Sequence, residues 1–186
     1  MGVEEVPRLR GRFGRPYTFV ERCPSTQRLL DGAPEGAVAV ADEQTEGRGR
    51  LGRAWQAPAG TGLLFSIVLI PAVPPDRLPE LSTVAGAAVA EAIEAEADLH
   101  ATVKHPNDVL VGGRKVAGIL AEAVEGRIVL GVGVNVSQTE AQLPTADPPA
   151  TSLALEGASV ERAALLATIL ERLEAHYDRW ITSAGR

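Results

Sequence analysis

Residues 62–70 (GLLFSIVLI) constrain the fold of this chain more than any other stretch. They form the most apolar run in the sequence, and they have the length of one β-strand. Glycine stands at the start of the run and proline follows it, which marks turns at both ends. A short, continuous apolar run of this kind is typical of a strand buried inside a domain. The sequence therefore predicts a fold built around a central, buried strand.

The surrounding patterns predict further strands, two long helices and a set of hairpins. Apolar residues at three- and four-residue spacing predict amphipathic helices over residues 78–97 and 160–180. A hydroxyl of Ser25 or Thr26 is expected to cap a short helix that ends near Leu30. Turns at Gly112-Gly113 and Glu125-Gly126 predict a meander of strands. Strands are expected over residues 17–20, 37–41, 62–70, 101–104, 109–111, 115–124 and 127–136, with a proline-rich loop over residues 138–152. This order predicts an α+β fold, with a mixed or antiparallel sheet and helices on one face.

Length and composition limit the class of protein. A chain of 186 residues fits one domain, and its first 16 residues, rich in Arg and Gly, are expected to be loosely held. The single cysteine, Cys23, fits a reducing, cytoplasmic compartment, and no signal peptide or apolar run long enough for a membrane span is visible. The formal net charge of −6 argues against nucleic-acid binding. Three histidines and one cysteine are too few to predict a zinc site.

The stretch Gly47–Trp55 (GRGRLGRAW) stands out because the chain is otherwise acidic. It holds Arg48, Arg50 and Arg53, separated by glycines, with no acidic residue among them. Glycine lets a backbone approach a ligand closely, and the arginine fork matches carboxylate and phosphate oxygens. The pattern predicts a loop that closes over a small anion, with a solvated basic loop as the alternative.

The same glycines also satisfy the dinucleotide pattern G-x-G-x-x-G through Gly47, Gly49 and Gly52. That pattern requires a helix directly after the glycines and an acidic residue about 20 positions later. Pro58 and further glycines follow instead, and residues 67–72 contain no acid. The sequence therefore argues against a dinucleotide-binding fold.

Three further clusters carry polar residues between apolar segments. They are KHPND at residues 104–108, KVAGILAE at residues 115–122 and GVGVN at residues 131–135. Pro-Asn-Asp also makes an ordinary turn, a lysine can guard a strand edge, and paired glycines can mark close packing. Asn135 is harder to explain as structure alone, because a buried amide needs partners.

Taken in order, these motifs resemble the catalytic domain of biotin protein ligases. Ser25-Thr26-Gln27, Gln44, GRGRLGRAW, KHPND, KVAGILAE and GVGVNV occur in that family's order and spacing, over about residues 17–180. The resemblance implies a fold related to the class II aminoacyl-tRNA synthetase core. It also implies a reaction in which biotin and Mg-ATP form biotinyl-5′-AMP, followed by biotinylation of a lysine on the biotin carboxyl carrier protein of acetyl-CoA carboxylase.

The resemblance also implies roles for individual residues. Lys115, Arg50 and Lys104 are the catalytic candidates. The implied biotin pocket consists of Ser25, Thr26, Gln27, Gln44, Arg48, Gly49, Arg50, Lys115 and Gly118. The implied ATP site consists of Arg53, Trp55, Lys104, Asn107 and Asn135. Mg²⁺ is expected with ATP, and no protein-held metal site is expected.

The sequence departs from the family pattern at three places. His105 replaces the usual tryptophan, and Gln27 replaces an asparagine, which puts the finer biotin contacts in doubt. The chain is expected to comprise residues 17–186 as one catalytic domain, without an N-terminal DNA-binding domain or a C-terminal β-domain. Two alternatives stay open, namely a lipoate or octanoate ligase, and a non-catalytic biotin-binding relic.

The strand predicted over residues 127–136 alternates cleanly and follows the meander, so it is expected at a sheet edge. Exposed edges pair with other strands. Members of the resembled family often dimerise in this way, which predicts a homodimer with the carrier near that edge. A covering loop over residues 138–152 is the alternative.

Overall fold

The computed structural model describes residues 3–4 and 9–184 of the chain. In this part, seven strands form one sheet. They are β1 (Tyr17–Cys23), β2 (Val38–Gln44), β3 (Gly62–Leu69), β4 (Ala101–Lys104), β5 (Asp108–Val111), β6 (Arg114–Val124) and β7 (Arg127–Asn135). Helix α1 (Leu81–Ala97) lies between β3 and β4, and α2 (Arg162–Ala184) follows β7.

The strand order across the sheet is β1-β2-β3-β7-β6-β5-β4. Only β1 and β2 run parallel, and the other neighbours are antiparallel, so the sheet is mixed. The expected buried strand is confirmed, because every residue of β3 is buried and β3 lies third in the order. The turns at Gly112-Gly113 and Glu125-Gly126 are also confirmed, with positive φ at all four residues.

Both helices pack on one face of the sheet, which confirms the predicted α+β class. Successive side chains of a strand point to opposite faces, so alternate residues of β3 and β7 meet the helices. Leu63, Phe65 and Ile67 of β3 belong to the main core, together with Leu130 and Val132 of β7 and the inward residues of α1 and α2. The remaining residues of each strand face the other side.

The helix expected to end near Leu30 forms only as a 3₁₀ turn over Arg28–Leu30. The cap expected from Ser25 or Thr26 is wrong, because among the described residues no side chain caps this turn. Thr26 is buried instead, and its hydroxyl lies 2.7 Å from the Ser66 hydroxyl. A hydroxyl engaged in the interior is not free to cap a helix, so only a short turn forms.

The position expected for residues 127–136 is also wrong. Strand β7 hydrogen-bonds to β3 on one side and β6 on the other, and the edges of the sheet are β1 and β4. An alternating residue pattern indicates that the two faces of a strand have different environments. It does not show that the strand lies at an edge of the sheet. Here one face meets the helices, and the other lines a cavity.

The segment expected to be loosely held is packed where the structure describes it. Phe13 is fully buried, and its ring lies 5.7 Å from the Tyr177 ring, centroid to centroid. Arg12 forms an ion pair with Glu174 at 3.1 Å and with Asp178 at 2.5 Å. One aromatic anchor and two carboxylates therefore hold residues 12–13 on α2. Residues 1–2 and 5–8 lie outside the described part.

Candidate functional site

A cavity of about 330 Å³ lies on the face of the sheet opposite the helices. Its floor is formed by β3, β6 and β7. Its walls are formed by the end of β2, by residues 25–27 and 107–108, and by two loops over residues 45–56 and 144–150. This volume falls in the range of small-molecule sites in proteins.

Small residues make room for this cavity. On the strands of the floor, the face away from the helices carries Ser66, Gly118, Gly131 and Gly133 where the opposite face carries larger apolar side chains. The missing side chains leave the sheet surface low at the centre. The sequence signal for this was the serine inside the otherwise apolar run 62–70 and the glycines of GVGVN.

The Trp55 indole fills part of this space. A Cβ placed on Gly133 would lie 2.4 Å from Trp55 Cε2, and one on Gly118 would lie 2.8 Å from Trp55 Cζ3. Both glycines are therefore required for the indole to lie on the sheet. The expectation that Gly133 marks close packing is confirmed. The Trp55 indole nitrogen is buried and has no hydrogen-bond partner among the described residues, so it can donate to a ligand or a water.

One end of the cavity carries neutral polar groups. The Gln44 side-chain oxygen accepts from the Thr26 backbone N–H at 2.7 Å and lies 3.1 Å from the Thr26 hydroxyl. The Thr26 hydroxyl also meets Ser66, and Ser25 is buried beside it. These contacts fix the Gln44 amide and leave its NH₂ group directed away from Thr26. A fixed amide and hydroxyls can recognise a neutral polar ring.

The other end carries cations. The Lys115 ammonium lies 2.7 Å from an Asp108 carboxylate oxygen and 5.6 Å from the centroid of the Trp55 ring. The Arg50 guanidinium donates to the Asn107 side-chain oxygen at 3.1 Å, and the Asn107 amide donates to the Ile119 carbonyl. Arg53 also lines this part. Such a group of cations stabilises a carboxylate or phosphate.

The loop that carries these arginines is folded over the cavity. Gly49 N–H donates to the Arg53 carbonyl at 2.7 Å, and Trp55 N–H donates to the Gly47 carbonyl at 2.9 Å. Its arginine Arg48 forms an ion pair with Glu122 of β6 at 2.7 Å. The loop is therefore attached to the sheet at Trp55 and at Arg48.

Gln27 and Asn135 make contacts that the motifs alone did not predict. The Gln27 amide donates to the Val129 carbonyl at 3.3 Å, and its oxygen accepts from Arg48 at 3.4 Å. Asn135 donates to the Thr151 carbonyl at 2.9 Å and accepts from the Gln138 amide at 3.2 Å. Asn135 therefore has protein partners at both side-chain atoms.

The structure brings together all of the predicted site residues except one. The cavity is lined by Ser25, Thr26, Gln27, Gln44, Arg48, Gly49, Arg50, Arg53, Trp55, Asn107, Lys115, Gly118 and Asn135. Lys104 does not line it. Lys104 is exposed at the end of β4, opposite Asp108 in the register. Its role in catalysis and ATP binding therefore stays a prediction.

Several lining residues were not predicted as site residues. They include Ser66, Asp108, Gly131, Gly133 and the loop residues Pro144, Thr145, Ala146 and Ala150. Asp108 lay in a quoted motif but was interpreted as a turn residue. The loop residues gave no signal, because only the fold places residues 144–150 beside Lys115.

One cavity is thus surrounded by cations, a fixed amide and an indole N–H that has no partner among the residues the structure describes, an arrangement that suits a small polar ligand with an anionic group. The family model for the biotin/lipoate A/B protein ligase family matches residues 19–138. The chain belongs to the biotin/lipoate A/B protein ligase family.

Comparisons with known proteins agree with this assignment. A bifunctional ligase/repressor of Bacillus spizizenii is 39% identical over 182 residues, which cover 91% of this chain and 56% of that protein. A biotin–[acetyl-CoA-carboxylase] ligase of Mycobacterium tuberculosis is 40% identical over 151 residues, covering 78% of this chain and 56% of that protein. The chain thus spans about half the length of these curated relatives.

A solved structure is similar over a larger share of its length. The biotin protein ligase of Aquifex aeolicus, in complex with biotin and ATP, has a TM-score of 0.80 and 33% identity. The alignment covers 89% of this chain and 72% of that one. This similarity confirms the expected ligase-like fold. No described helix combines the length and hydropathy needed to cross a membrane.

Proposed function

We propose that the chain is the catalytic part of a biotin protein ligase. Biotin's carboxylate oxygen attacks the α-phosphorus of Mg-ATP, which forms biotinyl-5′-AMP and releases pyrophosphate. The neutral amine of a carrier lysine then attacks the biotinyl carbonyl. An amide forms, AMP leaves, and the amine loses its proton.

The arrangement of charge in one cavity is the observation that carries this proposal. The cations Arg50, Arg53 and Lys115 line one part of a cavity whose other end carries neutral polar groups, and the charge of Arg48 is paired with Glu122. Biotin has the same asymmetry, with a neutral ureido ring at one end and a carboxylate at the other. The names of the similar ligases support biotin as the acid and ATP as the nucleotide.

The cations explain how the first step becomes possible. A carboxylate approaching a phosphate within ~4 Å meets a repulsion of about 4 kcal/mol at an effective dielectric constant near 20. Removing that much barrier is worth roughly a thousandfold in rate, since each 1.4 kcal/mol is tenfold. Lys115 and Arg50 are proposed to supply this stabilisation.

The neutral end is proposed to orient biotin. In this arrangement Gln44, Thr26 and Ser25 hydrogen-bond the ureido ring, and Trp55 with the loop 46–56 shields the adenylate from water. Arg53, Trp55, Asn107 and Asn135 are proposed around the nucleotide. Gln27, Arg48, Gly49 and Gly118 are proposed along the biotin chain.

Mg²⁺ is proposed to enter with ATP as part of the substrate. In residues 3–4 and 9–184, no cluster of three His, Cys, Asp or Glu side chains could hold a metal ion. Magnesium is commonly held by substrate phosphates with one or two carboxylates. Asp108, which lines the cavity, fits that role.

Lipoate or octanoate ligation is the second candidate, because the family includes lipoate ligases. The arginine loop and Gln44 favour biotin. A non-catalytic relic is disfavoured, since Arg50 and Lys115 are both present in the cavity.

The carrier is proposed to be the biotin carboxyl carrier protein of acetyl-CoA carboxylase, reached in the cytoplasm. A relative's name supports the carrier, and the lone, buried Cys23 fits a reducing compartment. A homodimer is also proposed, through one of the two outer strands of the described sheet, β1 or β4. Sedimentation at micromolar and higher concentrations tests the dimer, and a strict monomer would refute it.

Incubation with biotin, Mg-ATP and the carrier tests the transfer. Intact-mass analysis should show one biotinyl group on the carrier, and none on a carrier whose acceptor lysine is replaced by arginine. A carrier modified only when lipoate replaces biotin would reject the proposal in favour of the second candidate.

A further inference from the structure

Strand β7 ends before it reaches the level of Lys115. The pairing of β6 with β7 runs from Val124 back to Ala117, which lies opposite Val134. Lys115 lies two residues nearer the start of β6 and has no partner on β7. The backbone N–H and C=O groups of Lys115 therefore need another partner. Without one, the backbone and the side chain that it carries would be held less firmly.

A segment of the loop 138–152 takes the place of β7 at this point. Lys115 N–H donates to the Pro149 carbonyl at 2.8 Å, and the Lys115 carbonyl accepts from Thr151 N–H at 2.8 Å. Ala150 thus forms a parallel bridge with Lys115. The backbone of the proposed catalytic lysine is held on this side by one short segment.

Side-chain contacts connect the Pro149–Thr151 segment to both β6 and β7. Thr151 is fully buried, and its hydroxyl donates to a Glu156 carboxylate oxygen at 2.6 Å. The same oxygen lies 2.7 Å from the Arg114 guanidinium, one residue before Lys115. Asn135, the last residue of β7, donates to the Thr151 carbonyl. Glu156 and Asn135 therefore fix Thr151 relative to β6 and β7.

We infer that Thr151 and Glu156 are positioning residues for Lys115. Through their hydrogen bond, they hold the Pro149–Thr151 segment against the Lys115 backbone and so fix where the ammonium group lies. Asn135 acts on the same segment through the Thr151 carbonyl. The role in catalysis rests on the proposed function, whereas the role in holding the backbone does not.

The matched substitutions Thr151→Val and Thr151→Ser separate positioning from packing. Valine keeps the shape of threonine and loses the hydrogen bond to Glu156, whereas serine keeps the bond and loses a methyl group. Because a small displacement of a catalytic group can cost up to about a hundredfold, Thr151→Val should lower kcat of biotin-dependent pyrophosphate exchange about tenfold. The KM for biotin should stay within about twofold, and Thr151→Ser should stay within about threefold of wild-type kcat.

Glu156→Ala removes the same hydrogen bond from a partly exposed residue, which protects the test against misfolding of Thr151→Val. Amide hydrogen exchange gives a readout without any ligand. Both variants should speed exchange at Lys115 about tenfold or more, and leave Ile119, whose N–H donates to Asn107, unchanged.

Two results would overturn the inference. One is a wild-type kcat together with a wild-type rate of amide hydrogen exchange at Lys115, in either Thr151→Val or Glu156→Ala. The other is an equal loss in Thr151→Val and Thr151→Ser that follows their loss of thermal stability, which indicates packing. If the wild-type protein catalyses no pyrophosphate exchange with any acid, the proposed function fails. Amide hydrogen exchange at Lys115 then still decides whether Thr151 holds the backbone.

Discussion

Lys115 is the residue on which the proposed chemistry most depends. It lies on a fixed strand, beside Asp108 and the Trp55 ring, and it lines the cavity. Lys115→Ala should reduce biotin-dependent pyrophosphate exchange by a hundredfold or more, since removal of one transition-state contact costs about 10²–10³. Thermal unfolding should change little, because Lys115 is not a core residue.

Arg172→Ala is a matched control, since it removes an exposed cation on α2, across the sheet from the cavity. It should retain the wild-type rate. Near-wild-type exchange in folded Lys115→Ala protein would refute the assignment of Lys115 as a catalytic residue.

A substitution at Gly133 tests whether the Trp55 indole must lie on the sheet for biotin to bind. Gly133→Ala would place a methyl group 2.4 Å from Trp55 Cε2, so the indole must move. Trp55 fluorescence should shift to the red, and biotin should bind at least tenfold more weakly, which corresponds to about 1.4 kcal/mol. Gly131→Ala is the control for the fluorescence, because its Cβ would meet Gln27 at 3.4 Å and not the indole. An equal fluorescence shift in both variants, or none in Gly133→Ala, would contradict this role.

At the scale of single residues, the motifs predicted most of the polar residues that line the cavity, because their chemistry is local. Cations, a fixed amide and glycines can be found without knowing the fold. Lys104 lies outside the cavity lining at the exposed end of β4, so its role stays a prediction. Ser66 and residues 144–150 were missed as site residues because their place depends on contacts distant in sequence.

At the scale of elements, the loop 46–56 is expected to open and close over the ligand. Its contacts with the sheet include the Arg48–Glu122 ion pair, which is partly exposed and therefore weak. Trypsin should cleave after Arg48, Arg50 or Arg53 in the free protein, and saturating biotinyl-5′-AMP should block cleavage. Glu122→Gln should speed cleavage of the free protein.

Glu125→Gln serves as the control, because Glu125 lies in the turn beyond Glu122, away from the loop. Equal cleavage with and without ligand would show that the loop does not close.

The strands and the two long helices were predicted from periodicity, within a few residues at their ends. The helix near Ser25 is only a 3₁₀ turn, and its predicted cap was wrong because burial of Thr26 outweighed its local preference for a cap.

At the scale of the whole molecule, the contact of residues 12–13 with α2 links the start of the described chain to its last helix. Hydrogen bonds from the Arg12 guanidinium lower the pKa of the Asp178 carboxyl. A carboxyl whose pKa is lowered by folding stabilises the fold at pH values above its unfolded pKa, which is near 3.9. This stabilisation is lost as the pH falls through the pKa of the folded state.

Asp178→Asn should therefore lower Tm at pH 6 to 7, and the difference from wild type should shrink below about pH 4. Glu171→Gln, at an exposed position on the same helix, should not change Tm at either pH. A difference that stays constant from pH 7 to pH 3 would contradict the role of the Asp178 charge.

The order of the strands could not be predicted from the sequence, and this caused the error about β7. Its alternation indicated two different faces, but the sequence does not say which strands are neighbours. Hydrogen bonding to both β3 and β6 leaves β1 and β4 as the edges for any partner. The apolar run 62–70 was placed correctly because burial on both faces requires a position inside the sheet.

Isotope exchange between pyrophosphate and ATP, with one acid added at a time, tests the central claim most directly. The charge arrangement of the cavity predicts exchange that requires both Mg²⁺ and biotin, and no exchange with lipoate or octanoate. Exchange with lipoate alone would contradict biotin as the substrate. Biotin that binds by calorimetry but supports no exchange would show that the cavity binds the acid without activating it.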